Sequence, residues 1–192
     1  MEIIVDSIIN IFTVVDGRIK LIVDKDNNLL KVNCTDDLDL VCNKYINDNL
    51  NINNLNLRQC YTFSKKEEDK YNITVLYVDI VNFDSIKLNG EYKLIDIDLL
   101  DNIYLTKSID WLRKELVFNS SIKRLYSKEF ILPEIQKIYE KLLNKSYDRR
   151  NFRKKLIKLD VIEDLNKYSS SKTGRPAKLY RFKDIKEDKI LF

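Results

Sequence analysis

The sequence predicts an α+β chain in two parts, a mixed sheet with helices followed by two helices and a two-stranded hairpin. Three observations carry this reading. Runs of β-branched and apolar residues, broken by turn residues, crowd the first hundred positions. From Ser108 onward the apolar spacing becomes mainly helical. The charge also changes sign: residues 1–104 hold 11 Lys and Arg against 18 Asp and Glu, a net of −7, whereas residues 105–192 hold 23 against 12, a net of +11. An acidic front and a basic back point to two domains with different tasks.

In the front part, residues 3–14 and 18–24 flank Asp16-Gly17. Both residues accept positive φ, so the pair predicts a tight hairpin. A polar turn at 24–28 precedes a short strand, Leu29–Val32. Asp36–Leu50 reads as a helix, because Leu38, Val41, Cys42, Tyr45 and Ile46 share one face. Thr35 or Asp36 caps its start, and Asn51 closes it in the left-handed conformation. Leu55–Phe63 and Ile73–Val81 read as strands on either side of a charged turn, Lys65–Lys70. Tyr92–Ile97 is a weaker strand, and Asp98–Asn102 is a turn or short helix.

The back part opens with an amphipathic helix at Ser108–Val117, its apolar face made by Ile109, Leu112, Leu116 and Val117. A second helix, Ile131–Leu143, carries Pro133 in its first turn, where a missing N–H costs nothing. Asp148–Leu159 forms a third, capped by Asp148, with Phe152, Leu156 and Leu159 inward. Val161–Leu165 and Lys178–Phe182 then read as strands around a long turn containing Gly174. The expected division is 1–106 for the front domain, 107–129 for a linker region and 130–192 for the back domain.

Several function classes drop out. The chain has no histidine, which removes His-based triads and general bases. Cys34, Cys42 and Cys60 show no CxxC spacing and read as small apolar fillers in a reducing compartment. No stretch approaches the roughly 18–20 apolar residues of a membrane span. The N-terminus lacks a basic front, and Asp6 interrupts its apolar run, so the expected location is the cytoplasm. No catalytic residue, metal ligand or cofactor is expected.

Helix, turn, helix and hairpin in this order make a winged helix-turn-helix, in which the second helix enters the major groove of DNA. Segment 145–183 holds 13 Lys and Arg against 4 Asp and Glu. Arg149, Arg150, Arg153 and Lys154 fall away from Phe152 and Leu156, mostly in the first turns. The planar fork of Arg suits guanine or phosphate. Asn151 reads adenine or supports the helix start, and Lys172, Arg175 and Lys178 sit on the wing. The expected partner is double-stranded DNA at a near-palindromic operator, bound by a homodimer.

Two stretches closely resemble the C-terminal domain of the Nudix-related transcriptional regulators of the NrtR type. They are Asp148-Arg149-Arg150-Asn151-Phe152-Arg153-Lys154-Lys155-Leu156 and Gly174-Arg175-Pro176-Ala177-Lys178-Leu179-Tyr180-Arg181-Phe182. Gln136 and Tyr139-Glu140, upstream, are similar too. The resemblance implies a Nudix-like front domain, and Leu57–Phe63 and Val75–Val78 are similar to two of its strands. The fold so implied is an N-terminal Nudix-like mixed sheet with helices, followed by the winged helix.

The Nudix box departs from its pattern. Nudix hydrolases carry Arg-Glu-Ψ-x-Glu-Glu-x-Gly-Ψ, with Ψ aliphatic, and its carboxylates gather divalent metal against a pyrophosphate. Here Lys44 falls on the Arg, Tyr45 on the first Glu and Ile46 on the aliphatic position. Asp48 and Asn49 fall on the Glu pair, Asn51 on the Gly and Ile52 on the last aliphatic site. Asp36, Asp37 and Asp39 lie near the helix start, where the dipole favours acids without any metal. The resemblance implies a small-molecule effector instead, ADP-ribose and NAD-related for some members and sugar-linked for others. Arg58, Gln59, Tyr61 and Phe63 are the expected ligand contacts. Two alternatives remain at this stage: a front domain kept only for dimerisation, and an active pyrophosphohydrolase with an unusual metal site.

Overall fold

The computed structural model describes residues 2–52, 55–118, 120–126, 129–170 and 176–183. Its contacts group into two compact units, Met1–Thr13 with Ile19–Trp111, and Val14–Arg18 with Leu112–Phe192.

The first unit is organised by one long strand, β1 (Glu2–Val15). Ser7 to Thr13 are all buried, which means that both faces of the strand are covered. β1 pairs in parallel with β5 (Lys70–Ile80), from Glu2↔Lys70 to Phe12↔Ile80. On its other edge Asp6 to Ile9 pair antiparallel with β3 (Leu30–Asn33), and β2 (Arg18–Asp24) is its hairpin partner. β4 (Arg58–Glu67) lies outside β5 and β6 (Tyr92–Asp96) outside β2, so the order is β4-β5-β1-β2-β6. The parallel β1–β5 pair makes the sheet mixed.

Helix α1 (Leu38–Leu50) covers one face, where Cys42, Ile46 and Leu50 pack on Ile9, Ile11, Ile22 and Val75. Its cap is Asp37, which accepts from the Leu40 N–H at 2.9 Å, one or two residues later than expected. Asp36 instead accepts from the N–H of Asp37. Asn51 closes the helix with φ 48°. Helix α2 (Ile103–Phe118) covers the other face, where the Asn10 amide donates to Ser108 Oγ at 2.8 Å. It begins five residues before the expected Ser108, because Asn102 caps it by accepting from the Leu105 N–H at 2.8 Å. The side chains of Leu116 and Val117 lie outside the described residues. β4 and β5 also run longer than expected, and the turn shrinks to Glu68-Asp69. Charge does not end a strand at a sheet edge: Lys65 and Glu67 pair in water at 2.5 Å.

In the second unit, α3 (Leu132–Leu143) and α4 (Arg149–Lys158) pack with a small sheet. Its order is β7 (Phe130–Ile131), β9 (Lys178–Phe182), β8 (Ile162–Tyr168). The core holds Phe130, Ile135, Ile138, Tyr139, Leu142, Phe152, Leu156, Val161 and Tyr180. Ile131 was expected to open a helix, but Phe130 and Ile131 pair with Tyr180 and Leu179 instead. Burial sets the scale here: removing Phe152 costs about 3–5 kcal/mol, against about 0–1 kcal/mol for an exposed ion pair.

The tip of the β1–β2 hairpin belongs to this second unit. Asp16 and Gly17 have φ of 50° and 69°, the double positive turn their identities predict. A Cβ on Gly17 would meet Glu134 Cγ at 3.4 Å and its Cα at 3.6 Å. Gly17→Ala is expected to lower stability by about 1–2 kcal/mol through strained φ, read as a lower urea midpoint at unchanged slope.

Candidate functional site

Three contacts set the position of α4. Asp148 caps it, accepting from the Asn151 N–H at 3.0 Å. Phe152 and Leu156 are buried, and the Phe152 ring lies between Tyr139 at 5.9 Å and Tyr147 at 5.8 Å. The turn before it is stapled from α3. The buried Gln136 amide donates to Glu140 Oε1 at 2.9 Å and to the Tyr147 carbonyl at 2.8 Å, and the Tyr147 N–H donates to the same carboxylate at 2.9 Å. These bonds hold the Glu140 carboxyl below its ordinary value of 4.5, the Gln136 side chain contributing most. The sequence marked Gln136 and Glu140 only through resemblance. Their spacing of i, i+4 is the signal, but the third partner is eleven residues from Gln136.

This scaffold leaves Arg149, Arg150, Asn151, Arg153 and Lys154 exposed. Among the described residues, no carboxylate lies within ion-pair distance of Arg149, Arg150, Arg153 or Lys154. The acids nearby are taken by other bases: Asp164 pairs with Lys178 at 2.7 Å, Asp160 with Lys183 at 2.5 Å, and Glu163 with Arg181. Of the three wing residues singled out by sequence, Lys178 thus faces Asp164 across the hairpin. Lys172 and Arg175, with Gly174, lie outside the described residues. The result is a concentrated positive face at the N-terminal half of α4.

The front unit has its own candidate region on α1. Nudix-type folds imply a divalent cation held by the box carboxylates, and the residues here do not fit one. Asp48 is exposed. Asn49 Oδ1 accepts from the Tyr92 hydroxyl at 3.1 Å, and its amide donates to the Tyr45 carbonyl at 2.8 Å. The Tyr45 and Tyr92 hydroxyls are 3.3 Å apart. Burial pushes the Tyr45 hydroxyl above its ordinary value, so it stays protonated. Two positions that carry carboxylates in the box thus belong to an uncharged hydrogen-bonded group. Asp37 is a cap, and Asp39 accepts from the Tyr77 hydroxyl at 2.6 Å. Among the described residues no three His, Cys, Asp or Glu side chains are grouped to hold a metal.

The expected ligand contacts lie on β4, the edge strand. A bulge between Gln59 and Tyr61 resets the alternation. Arg58, Tyr61 and Phe63 are in register with Val78, Leu76 and Thr74, on the α2 side. Gln59 is in register with Tyr77, on the α1 side, and its amide donates to Thr62 Oγ1 at 3.0 Å. The structure thus brings three of the four together. It adds Tyr104 and Lys107 from α2, which lie in the stretch that the sequence had not assigned to a helix. The cysteines are free, and burial pushes Cys42 and Cys60 up to about 11, which keeps them protonated packing groups.

Fold and site together define a winged-helix protein with a Nudix-like sheet in front. Residues 124–182 match the family model of the NrtR DNA-binding winged helix domain. A curated relative from Acinetobacter baylyi, described as the ADPR responsive transcriptional repressor NtrR, is 26% identical over 132 residues, 62% of this chain. The match spans only about half of that relative, 52% of its length. Among solved structures, Shewanella oneidensis NrtR complexed with a 27mer DNA aligns with a TM-score of 0.72 at 18% identity, over 93% of each chain. The same protein without DNA gives 0.71 at 18%, over 94% of each. A MutT/nudix family protein from Enterococcus faecalis gives 0.65 at 14%, over 95% of this chain and 87% of that one. The chain therefore has the NrtR-type architecture, a Nudix fold followed by the winged helix.

The Glu140 staple has a pH signature. Its carboxyl is depressed in the folded state, so its contribution is present above the ordinary value of 4.5 and is lost as pH falls through the folded value. Glu140→Ala is expected to lower the denaturation midpoint at pH 7. The gap to wild type should shrink as the pH falls below the ordinary 4.5 and through the lowered folded value, measured by urea melts at stepped pH.

Proposed function

We propose that this chain is a DNA-binding transcription regulator, acting as a repressor, whose front domain is a non-catalytic sensor of a small metabolite. The metabolite class is ADP-ribose and NAD-related, or sugar-linked. One observation carries the DNA half: the outward row of Arg149, Arg150, Arg153 and Lys154 on a helix fixed by the Asp148 cap and the Glu140 staple. In this reading α4 enters the major groove. Asn151 and the wing residues Lys172, Arg175 and Lys178 complete the contact set, Lys178 exchanging Asp164 for a phosphate. The protein works as a cytoplasmic homodimer on a near-palindromic operator. Residues 1–106 act as sensor, 107–129 as linker and 130–192 as the DNA-binding domain.

Two relatives support the pairing of roles. The Acinetobacter baylyi protein is described as responsive to ADPR, and the Shewanella oneidensis protein was solved on DNA. The uncharged Tyr45–Tyr92–Asn49 group favours a sensor over a hydrolase, because a hard cation needs several anionic oxygens where this chain offers Asp48.

Selection of bound duplexes from a genomic fragment library, followed by addition of ADP-ribose, NAD or sugar phosphates, tests the reading directly. A near-palindromic duplex should be enriched, and one of these compounds should change its affinity. Arg149→Ala and Arg153→Ala should each weaken that duplex by about 1–3 kcal/mol, whereas Lys172→Ala should mainly flatten the salt dependence. Unchanged affinity in both arginine variants would overturn the assignment of α4.

A further inference from the structure

On the α2 side of the front sheet, four side chains from two elements meet. The bulge at Cys60 places Tyr61 and Phe63 on this side, their ring centroids 4.6 Å apart at an angle of 53°. Tyr104, in the first turn of α2, meets Phe63 edge-on at 4.9 Å and 79°. Lys107, three residues further along the same helix face, holds its Nζ 4.9 Å from the Tyr61 centroid.

Packing accounts for Phe63, which is half-buried between two rings. It does not account for Tyr61, which keeps 43% of its surface exposed. Nor does it account for Lys107. Among the described residues this ammonium has no carboxylate at ion-pair distance and sits over a π face instead. Such a contact at an exposed site is weak and readily exchanged for a phosphate oxygen. Arg58, exposed and in register on the same side, adds a second cation. A partly exposed aromatic ring beside a cation is complementary to a flat base that carries phosphate.

We propose that Tyr61, Phe63, Tyr104 and Lys107 form a site for the base-and-phosphate part of a nucleotide-type ligand. The base stacks on Tyr61, which Phe63 and Tyr104 hold in place, and Lys107 with Arg58 holds the phosphate. This rests on the sensor reading above, narrows it to a nucleotide and adds the two α2 residues to the contacts.

Titration calorimetry on the full chain, with AMP, ADP-ribose, adenosine and ribose 5-phosphate as probes, tests the site. AMP and ADP-ribose should bind, and the two half-ligands should bind at least about tenfold more weakly. Tyr61→Leu keeps apolar bulk but removes the π face, and should weaken AMP by about tenfold or more, the usual worth of one base–aromatic stack. Tyr61→Phe should retain the wild-type constant. Lys107→Gln should weaken AMP, flatten its salt dependence and leave adenosine unchanged. Each variant is checked for wild-type circular dichroism. Unchanged AMP binding in both Tyr61→Leu and Lys107→Gln would overturn this site and leave a sensor elsewhere intact. Failure of the folded wild-type chain to bind any of the four probes would overturn the site and the nucleotide branch of the sensor reading together. Operator binding, measured separately, is untouched by either result.

Discussion

Strand β1 has to be covered twice, and most of the first unit follows from that requirement. Ile9 and Ile11 point to one face, Ile8 and Phe12 to the other, and all four are buried. Each such side chain contributes about 1.5–3 kcal/mol on burial. The exposed pair between Glu2 at the start of β1 and Lys70 on the neighbouring strand is worth about 1 kcal/mol at most. Covering one face brings α1, and covering the other brings α2. The strand's polar residues then tie the layers at defined points: Ser7 Oγ is 3.1 Å from Cys34 Sγ, and Asn10 reaches Ser108. A buried donor left without an acceptor costs about 1–3 kcal/mol, so these pairs constrain where each layer sits as well as that it is present.

What the sequence revealed was mostly local chemistry. Asp16-Gly17 states its turn, Asn51 its helix end and Asp148 its cap, because each depends on neighbours a few residues away. What it hid depends on distant partners. β7 exists only because Phe130 and Ile131 find β9 some fifty positions later. The start of α2 was missed because Asn102 is equally a turn residue and a cap. The bulge at Cys60 has no glycine to betray it, so Gln59 and Tyr61 looked like neighbours in one site and fall on opposite faces. In the winged helix the outward bases of α4 were readable from spacing alone, whereas the claim of Asp164 on Lys178 was not.

The two units carry charge in opposite ways. In the front unit, positions that would gather a metal in a Nudix hydrolase are occupied by hydroxyls and an amide that satisfy one another. In the back unit, carboxylates remain but are committed to Lys178, Arg181, Lys183 and the turn before α4. One region keeps a single carboxylate, Asp48, and the other has its carboxylates occupied. The second arrangement is what leaves the α4 arginines unneutralised beside acids that are close in sequence.

The staple joining Gln136, Glu140 and Tyr147 holds the turn that leads into α4. Together with Asp148, Phe152 and Leu156 it fixes the helix by contacts that none of the outward side chains makes. Support and exposed charge are therefore carried by separate residues of a ten-residue helix. Descendants of this chain can exchange the outer positions one at a time, and so change the charge the helix presents, without first rebuilding the module that presents them.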